Sequence, residues 1–342
     1  MSRSLDDALA ARVADTPNSP ACLYCGAARF EPLYRNIRDR LGHVPGEWSF
    51  LRCRHCGSAN LRPFPREEDL PSFYPPVYTF SPKLARGFLQ KLLSGIEYQL
   101  FFRSVYRAQV RIIDRQVRSG GSTPGRLLDI GCGQGLRLLE FRRRGYDVFG
   151  MDFVQESVDS LAVHNIPAVC SDIAGLASAY APASLDVNTA FYVLEHVLDV
   201  EQALRQCLML LKPGGWFAGA VPLEDSVQAR TLGRWNINVT EAPRHISIPT
   251  QQAMRGLALK VGFAKETLDL VPDPVMSCAG SASMSLVPGS STTNVYGAKK
   301  LLGIATRLTG AAGVLLLLPA VAVENFLLRR PVLGILLAQR PK

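Results

Sequence analysis

Leu127-Leu128-Asp129-Ile130-Gly131-Cys132-Gly133-Gln134-Gly135 is the stretch whose reading decides the fold. Its first four residues, apolar or acidic, read as a short buried strand that runs directly into alternating glycines, and Leu136 to Arg144 reads as a helix. Glycine at alternate positions lets the backbone take positive φ and leaves no side chain between it and a ligand lying across the sheet edge. A nucleotide-like ligand is the expected guest. The spacing is not the Gly-x-Gly-x-x-Gly of dinucleotide sites, because the third glycine comes one residue early and Leu136 stands in its place.

Downstream, Tyr146 to Asp152 reads as a second strand that ends in an acid about twenty residues past the glycines. A carboxylate there can accept hydrogen bonds from ribose hydroxyls, and Phe153 is placed to lie against a base. Ala168 to Ile173 reads as a third strand end, with Asp172 suited either to an exocyclic amino group or to a helix cap or turn. Asp129, Asp152 and Asp172 together offer polar groups along one sheet edge. Leu185 to Phe191, continuing into Leu194-Glu195-His196-Val197, reads as a fourth strand. Leu211-Lys212-Pro213-Gly214-Gly215 turns into a fifth, which runs to Pro222. Asn188 is a polar amide at a strand position that is usually aliphatic, so it needs hydrogen-bond partners. Glu266 to Val271 and Val332 to Gln339 complete the set of strands. His245 is expected on a loop over the same sheet edge as His196, each imidazole serving either as a base or as a packed or capping group.

Upstream lie two knuckles, Cys22-Leu23-Tyr24-Cys25-Gly26 and Cys53-Arg54-His55-Cys56-Gly57, separated by 27 residues. Each puts two sulfurs on one turn, and four thiolates complete a tetrahedral shell for Zn²⁺; two redox dithiols are the alternative. His55 lies between two ligands as a bystander. A closed four-cysteine site has no open position for a substrate, so the metal is expected to be structural. The segment between the knuckles is basic but carries no dense basic and aromatic array, which argues against nucleic acid as a partner.

The Asp-x-Gly-x-Gly-x-Gly run at 129–135, the Leu-Glu-His-Val ending at 194–197 and the Leu-Lys-Pro-Gly-Gly turn at 211–215 resemble, in order and spacing, the class I S-adenosylmethionine-dependent methyltransferases. The resemblance covers roughly residues 120 to 272. The knuckles and the aromatic, proline-rich joint from Phe73 to Tyr78 extend it to bacterial members that carry an amino-terminal zinc ribbon. It implies an α/β, Rossmann-like doubly wound sheet of seven strands, the last antiparallel. It further implies S-adenosylmethionine held by Asp129, Gly131, Gly133, Gly135, Asp152, Phe153, Asp172, Ile173 and Phe191. Catalysis would then fall to His245, His196 or Glu195, and the ribbon's Zn²⁺ to Cys22, Cys25, Cys53 and Cys56. Because members of this layout act on sugars, polysaccharides or lipid precursors, it also implies O-methylation of such a small-molecule, glycan or lipid-linked substrate. C- or N-methylation of a small metabolite, and a non-enzymatic adaptor binding nucleic acid or an anionic surface, stand beside it.

The 342 residues are 47% hydrophobic and 20% charged, an ordinary globular composition, with a net charge of +9 that favours acidic partners. Eight cysteines, four of them paired, suit a reducing cytoplasm. The expected organisation is a flexible tail at 1–20, without the features of a secretory signal, and the ribbon at 21–62. A linker with a basic helical segment follows at 63–124, the cofactor-binding core at 125–272, and an insertion, apolar helix and final strand at 273–342. Arg103, Arg107, Arg111, Arg115 and Arg118 recur every three or four residues and share one helical face, either solvated or facing phosphate or an anionic membrane. With Lys299, Lys300, Arg307 and the uncharged run Leu308 to Val323, this stripe suggests peripheral attachment to the inner face of the cytoplasmic membrane. The apolar run is too short to span a bilayer and contains Pro319, so a buried cap is the competing reading.

Overall fold

In the computed structural model, which describes residues 21–40, 42–74, 102–121, 123–173, 175–286 and 312–342, the glycine-bearing stretch begins with strand β4 (Arg126–Ile130) at the centre of a seven-stranded sheet. Leu127, Leu128 and Ile130 are fully buried, as expected of a strand covered on both faces. On one side β4 pairs in parallel with β5 (Asp147–Asp152), which pairs with β6 (Ala168–Cys170). On the other it pairs in parallel with β7 (Leu185–Phe191), which pairs with β8 (Leu211–Pro222). The chain therefore steps outward from β4 to β6 and then returns to the opposite side of β4. A strand order that reverses in this way opens a crevice at the carboxyl ends of β4 and β7.

The sheet is completed by β10 (Asp269–Pro272) and β11 (Leu333–Gln339), giving the order β10-β11-β8-β7-β4-β5-β6. β11 runs antiparallel to β10 and to β8, where Gly214 N donates to Arg340 O and Arg340 N to Gly215 O. The seven strands and the antiparallel last one are those read from the sequence. The sixth is shorter than expected, because Lys265–Thr267 forms a single 3₁₀ turn ahead of it. Asn188 finds one partner, donating through Nδ2 to Cys207 O at 2.8 Å, and β7 keeps its register with Asn188 opposite Leu128 and Phe217.

These strands belong to one compact unit, residues 100–221, 254–274 and 334–342. The helix Arg103–Ser119 packs into it through Val110, Ile113 and Val117, spaced three and four apart so that they share one face. Its arginines lie on the other side. Arg103 and Arg107 pair with Glu140 at 3.7 and 3.4 Å, and Arg118 with Asp114 at 2.8 Å, so acids from this same unit offset part of the stripe.

A second unit gathers residues 1–99, 222–253 and 275–333. Its sheet is the antiparallel ribbon β1 (Phe30–Ile37), β2 (Trp48–Cys53) and β3 (Ala59–Arg62), extended by β9 (Ser247–Ile248), which pairs with β3 from far along the chain. Phe50, Leu61, Val239, Ala242 and Ile248 share its core. Val275–Leu286, within the stretch that the sequence suggested was a mobile insertion, is a helix; its small residues Ala279, Ala282 and Ser283 are buried. The 1–20 tail, the joint beyond Tyr74, Lys299, Lys300 and Arg307 lie outside the described residues.

Candidate functional site

At the end of β4 the chain turns through Gly131, Gly133 and Gly135 with φ of 69°, 51° and 68°. The turn is held against the neighbouring strand because Gly131 N and Cys132 N both donate to Met151 O, at 2.8 and 3.0 Å. The three glycines meet different surroundings. A Cβ on Gly131 would strike Val193 Cγ2 at 2.5 Å, and one on Gly135 would press on Leu161 at 3.1 Å, whereas one on Gly133 meets nothing within 4 Å. Gly131 and Gly135 thus serve close packing, while Gly133 has open space beside its backbone.

Asp152, the last residue of β5, is 7% exposed. Its Oδ2 accepts from Gly133 N at 2.9 Å and its Oδ1 from Val154 N at 2.9 Å. It therefore fixes the open turn and the start of the next loop together. Burial raises its pKa above the ordinary carboxylate value, against the pull of these backbone donors. Phe153 follows with 55% of its surface exposed, an apolar ring beside the carboxylate. Asp129 is buried and accepts a 2.6 Å hydrogen bond from Thr189 Oγ1 on β7. Burial pushes its pKa up to about 6, while the nearby Arg137 charge pulls it down.

The remaining sequence-derived residues divide. Asp172 is exposed, and its Oδ1 accepts from Gly175 N at 2.9 Å, the turn-forming role that the sequence held open for it. Ile173 is half-buried beside it. Phe191 is buried, with the Arg137 guanidinium 4.3 Å from its ring centroid. Glu195 is buried in the 3₁₀ turn Leu194–His196, its Oε2 has no hydrogen-bond partner among the described residues, and burial pushes its pKa up to about 8. His196 is half-buried in the same turn. His245 belongs to the other unit, where its Nδ1 lies 2.7 Å from Asn238 O. A carbonyl only accepts, so Nδ1 carries the proton and, in the neutral ring, Nε2 is left basic.

A cluster the sequence reading missed stands next to the glycine turn. The Arg137 guanidinium lies over Tyr106, Phe191 and Tyr192 at 4.6, 4.3 and 5.7 Å, and its Nε donates to Gln109 Oε1 at 2.8 Å. Gln109 Nε2 donates in turn to Asp273 Oδ1 and Oδ2 at 3.1 and 3.0 Å, and Tyr192 OH donates to Asp273 Oδ2 at 2.9 Å. Tyr192 directly follows β7 with φ of 59°, a left-handed conformation unusual for a tyrosine. One signal was available in the chain: Tyr192 is the first residue past the fourth strand, at the crevice. Gln109 and Asp273 gave none, being one polar residue on a helix's apolar side and one acid at the edge of a presumed insertion.

In the other unit the two knuckles have matching backbones. Gly26 N donates to Cys22 O and Gly57 N to Cys53 O, both at 2.9 Å. Sγ of Cys22 lies 3.5 Å from that of Cys56, and Cys25 the same distance from Cys53; all four sulfurs fall within 4.8 Å of one another. Ligands at about 2.3 Å around a tetrahedral ion stand roughly 3.8 Å apart, so this donor set fits one Zn²⁺. The Cys22–Cys56 contact raises the pKa of Cys22 and lowers that of Cys56. His55 is exposed.

Residues 101–268 match the family model described as a methyltransferase domain. Among curated relatives, the ubiquinone biosynthesis O-methyltransferase of Chromobacterium violaceum is 34% identical over 110 residues, 30% of this chain and 46% of that protein. The protein of the same name from Paraburkholderia phymatum is 37% identical over 99 residues, 28% of this chain and 43% of that one. The chain thus spans less than half the length of these relatives. A solved S-adenosylmethionine-dependent methyltransferase from Archaeoglobus fulgidus aligns with 72% of this chain and 99% of its own, at 16% identity and a TM-score of 0.46. Residues 101–268 thus carry the sequence pattern of a methyltransferase domain.

Proposed function

We propose that the protein transfers a methyl group from S-adenosylmethionine to a hydroxyl oxygen of a sugar, polysaccharide or lipid-linked precursor. The observation that carries the cofactor half is the pairing of Asp152 with the open Gly133: a buried carboxylate beside a backbone face with room for a ligand. The acceptor half rests on the O-methyltransferase relatives matched over about a hundred residues and on the ribbon-bearing layout.

Bound there, the cofactor supplies an electrophilic methyl carbon on a positively charged sulfur, already activated for displacement. What the chain contributes is mainly position. Asp152 would accept from the ribose hydroxyls, Phe153 would cover the adenine, and the Gly131–Gly135 turn would let the ligand approach the backbone. A hydroxyl nucleophile also loses a proton. His245, His196 or Glu195 would take it. The four cysteines would hold a structural Zn²⁺ with every coordination position filled, leaving the metal no part in the chemistry.

The test is calorimetric titration of the folded protein with S-adenosylmethionine, followed by mass-spectrometric detection of methylated products from hydroxyl-bearing glycan and lipid-linked acceptors. Methylation confined to amines or carbon acids would overturn the oxygen assignment, and absence of cofactor affinity would overturn the enzyme reading.

A further inference from the structure

Large apolar side chains left in water are unevenly spread over the described residues. Only three of them, Phe153, Val163 and Leu259, lie in the unit that carries the glycine turn. Six lie on one short stretch of the other unit: Leu315, Leu316, Val323, Phe326, Leu327 and Leu328, with Leu316, Phe326 and Leu327 at 80, 67 and 75% exposure.

The stretch is helical over 312–322 and continues as a π turn over Val323–Leu327. Residues 315, 316, 319, 320, 323, 326 and 327 fall on one half of its circumference. Pro319 and Ala320, which complete that side, are also exposed, so the outward side has no polar residue. The inward side holds the two polar residues of the stretch beside buried Val321 and half-buried Val314, Leu317 and Leu318. Glu324 is buried and accepts from Gln228 N and Nε2 at 3.2 and 3.0 Å, and buried Asn325 donates through Nδ2 to Cys278 Sγ at 3.5 Å. Polar groups anchor it inward and leave a continuous apolar stripe outside, too large to be scattered surface residues. Where the stripe ends, Arg329 and Arg330 are both exposed. The one acid between residues 312 and 330 is the buried Glu324, so the outward side is apolar and purely basic.

We propose that the exposed side of residues 315–328, closed by Arg329 and Arg330, docks on an anionic lipid bilayer with the helix lying in the headgroup plane. The apolar stripe would enter the acyl boundary while the two guanidinium groups meet lipid phosphates. Charge favours this occupant over a second copy of the chain, because anionic headgroups complement Arg329 and Arg330 while the same face of another copy offers them no exposed acid. No helix among the described residues is long and apolar enough to cross a membrane, so the contact is interfacial. The Arg103 to Arg118 stripe read from the sequence belongs to the other unit and is partly paired with Glu140 and Asp114; Arg329 and Arg330 are the basic groups of the proposed surface.

The experiment is co-sedimentation of the full chain with vesicles of phosphatidylcholine alone or mixed with phosphatidylglycerol. The protein is expected to sediment with the mixed vesicles at low salt, and salt should weaken the binding. Arg329→Glu with Arg330→Glu should lower apparent affinity at least about tenfold, and Leu316→Ser with Leu327→Ser should do likewise. All four side chains are exposed, so both variants should melt at the parent temperature. Failure to sediment with either vesicle, or full binding by both double variants, overturns the proposal. So does a dimer in gel filtration that Leu327→Ser dissolves while no vesicle binds.

Discussion

Replacing Asp152 tests the cofactor reading most directly, because its carboxylate does two separable things. In the structure it accepts hydrogen bonds from Gly133 N and Val154 N, both at 2.9 Å, and in the proposed complex it would also accept from ribose hydroxyls. A hydrogen bond to a charged group contributes about 1.5–3 kcal/mol. Asp152→Ala therefore forfeits roughly 3–6 kcal/mol of gross turn stabilisation. Part returns because the protein no longer buries a charge, a cost visible in the raised pKa of Asp152; a net loss of about 1–3 kcal/mol remains. Asp152→Asn keeps one acceptor oxygen but turns an NH₂ toward the other backbone donor, so it should fall between parent and alanine. Loss of one charge-assisted ribose bond weakens cofactor binding by roughly 10- to 150-fold. The assay is calorimetric titration with S-adenosylmethionine paired with thermal melting, with and without cofactor. Parent protein should be stabilised by saturating cofactor, by about 2.7 kcal/mol at a hundredfold excess over Kd, and Asp152→Ala much less at the same concentration. An alanine variant that binds as tightly as the parent would refute the role assigned to this carboxylate.

Gly131→Ala and Gly133→Ala should separate packing from ligand access. The first is expected to destabilise the fold, because its Cβ would overlap Val193 at 2.5 Å; the second, with open space around it, should cost only about 1 kcal/mol for its positive φ yet reduce cofactor affinity, as paired melting and titration would reveal. Glu195 should make stability depend on pH. Its folded pKa of about 8 lies above the ordinary 4.5, so its contribution is complete below pH 4.5 and is lost as pH rises through 8. Glu195→Gln should flatten that slope and be the more stable protein near pH 9, and parallel melting curves at every pH would count against it. Purified protein should contain one zinc per chain by elemental analysis, and Cys25→Ser or a strong chelator should lower the melting temperature of the ribbon; four freely titratable thiols in the native protein would contradict this.

Sequence alone determined those features whose physics is local. The alternating glycines after Leu127 to Ile130 fix a strand, a left-handed turn and a helix, because positive φ and close approach depend on the absence of a Cβ at those positions. The acids ending two successive strands and the paired cysteines were legible for the same reason: their spacing is their geometry. Residues brought together by the fold left no such trace. Arg137 is held by Gln109, and Gln109 by an aspartate 164 positions later in the chain, a network that exists only once the helix Arg103–Ser119 lies beside the start of the helix after the glycine turn. β9 joins the ribbon from far outside the expected 21–62. The apolar run before the last strand left a buried cap and an interfacial helix both open, since periodicity says that a helix has two sides and not which of them faces water. Tertiary structure decided that, by bonding Glu324 and Asn325 inward to Gln228 and Cys278: buried polar groups stand where they find hydrogen-bond partners, so the side that meets those partners is the inner one and Leu315, Leu316, Phe326 and Leu327 stand on the outer.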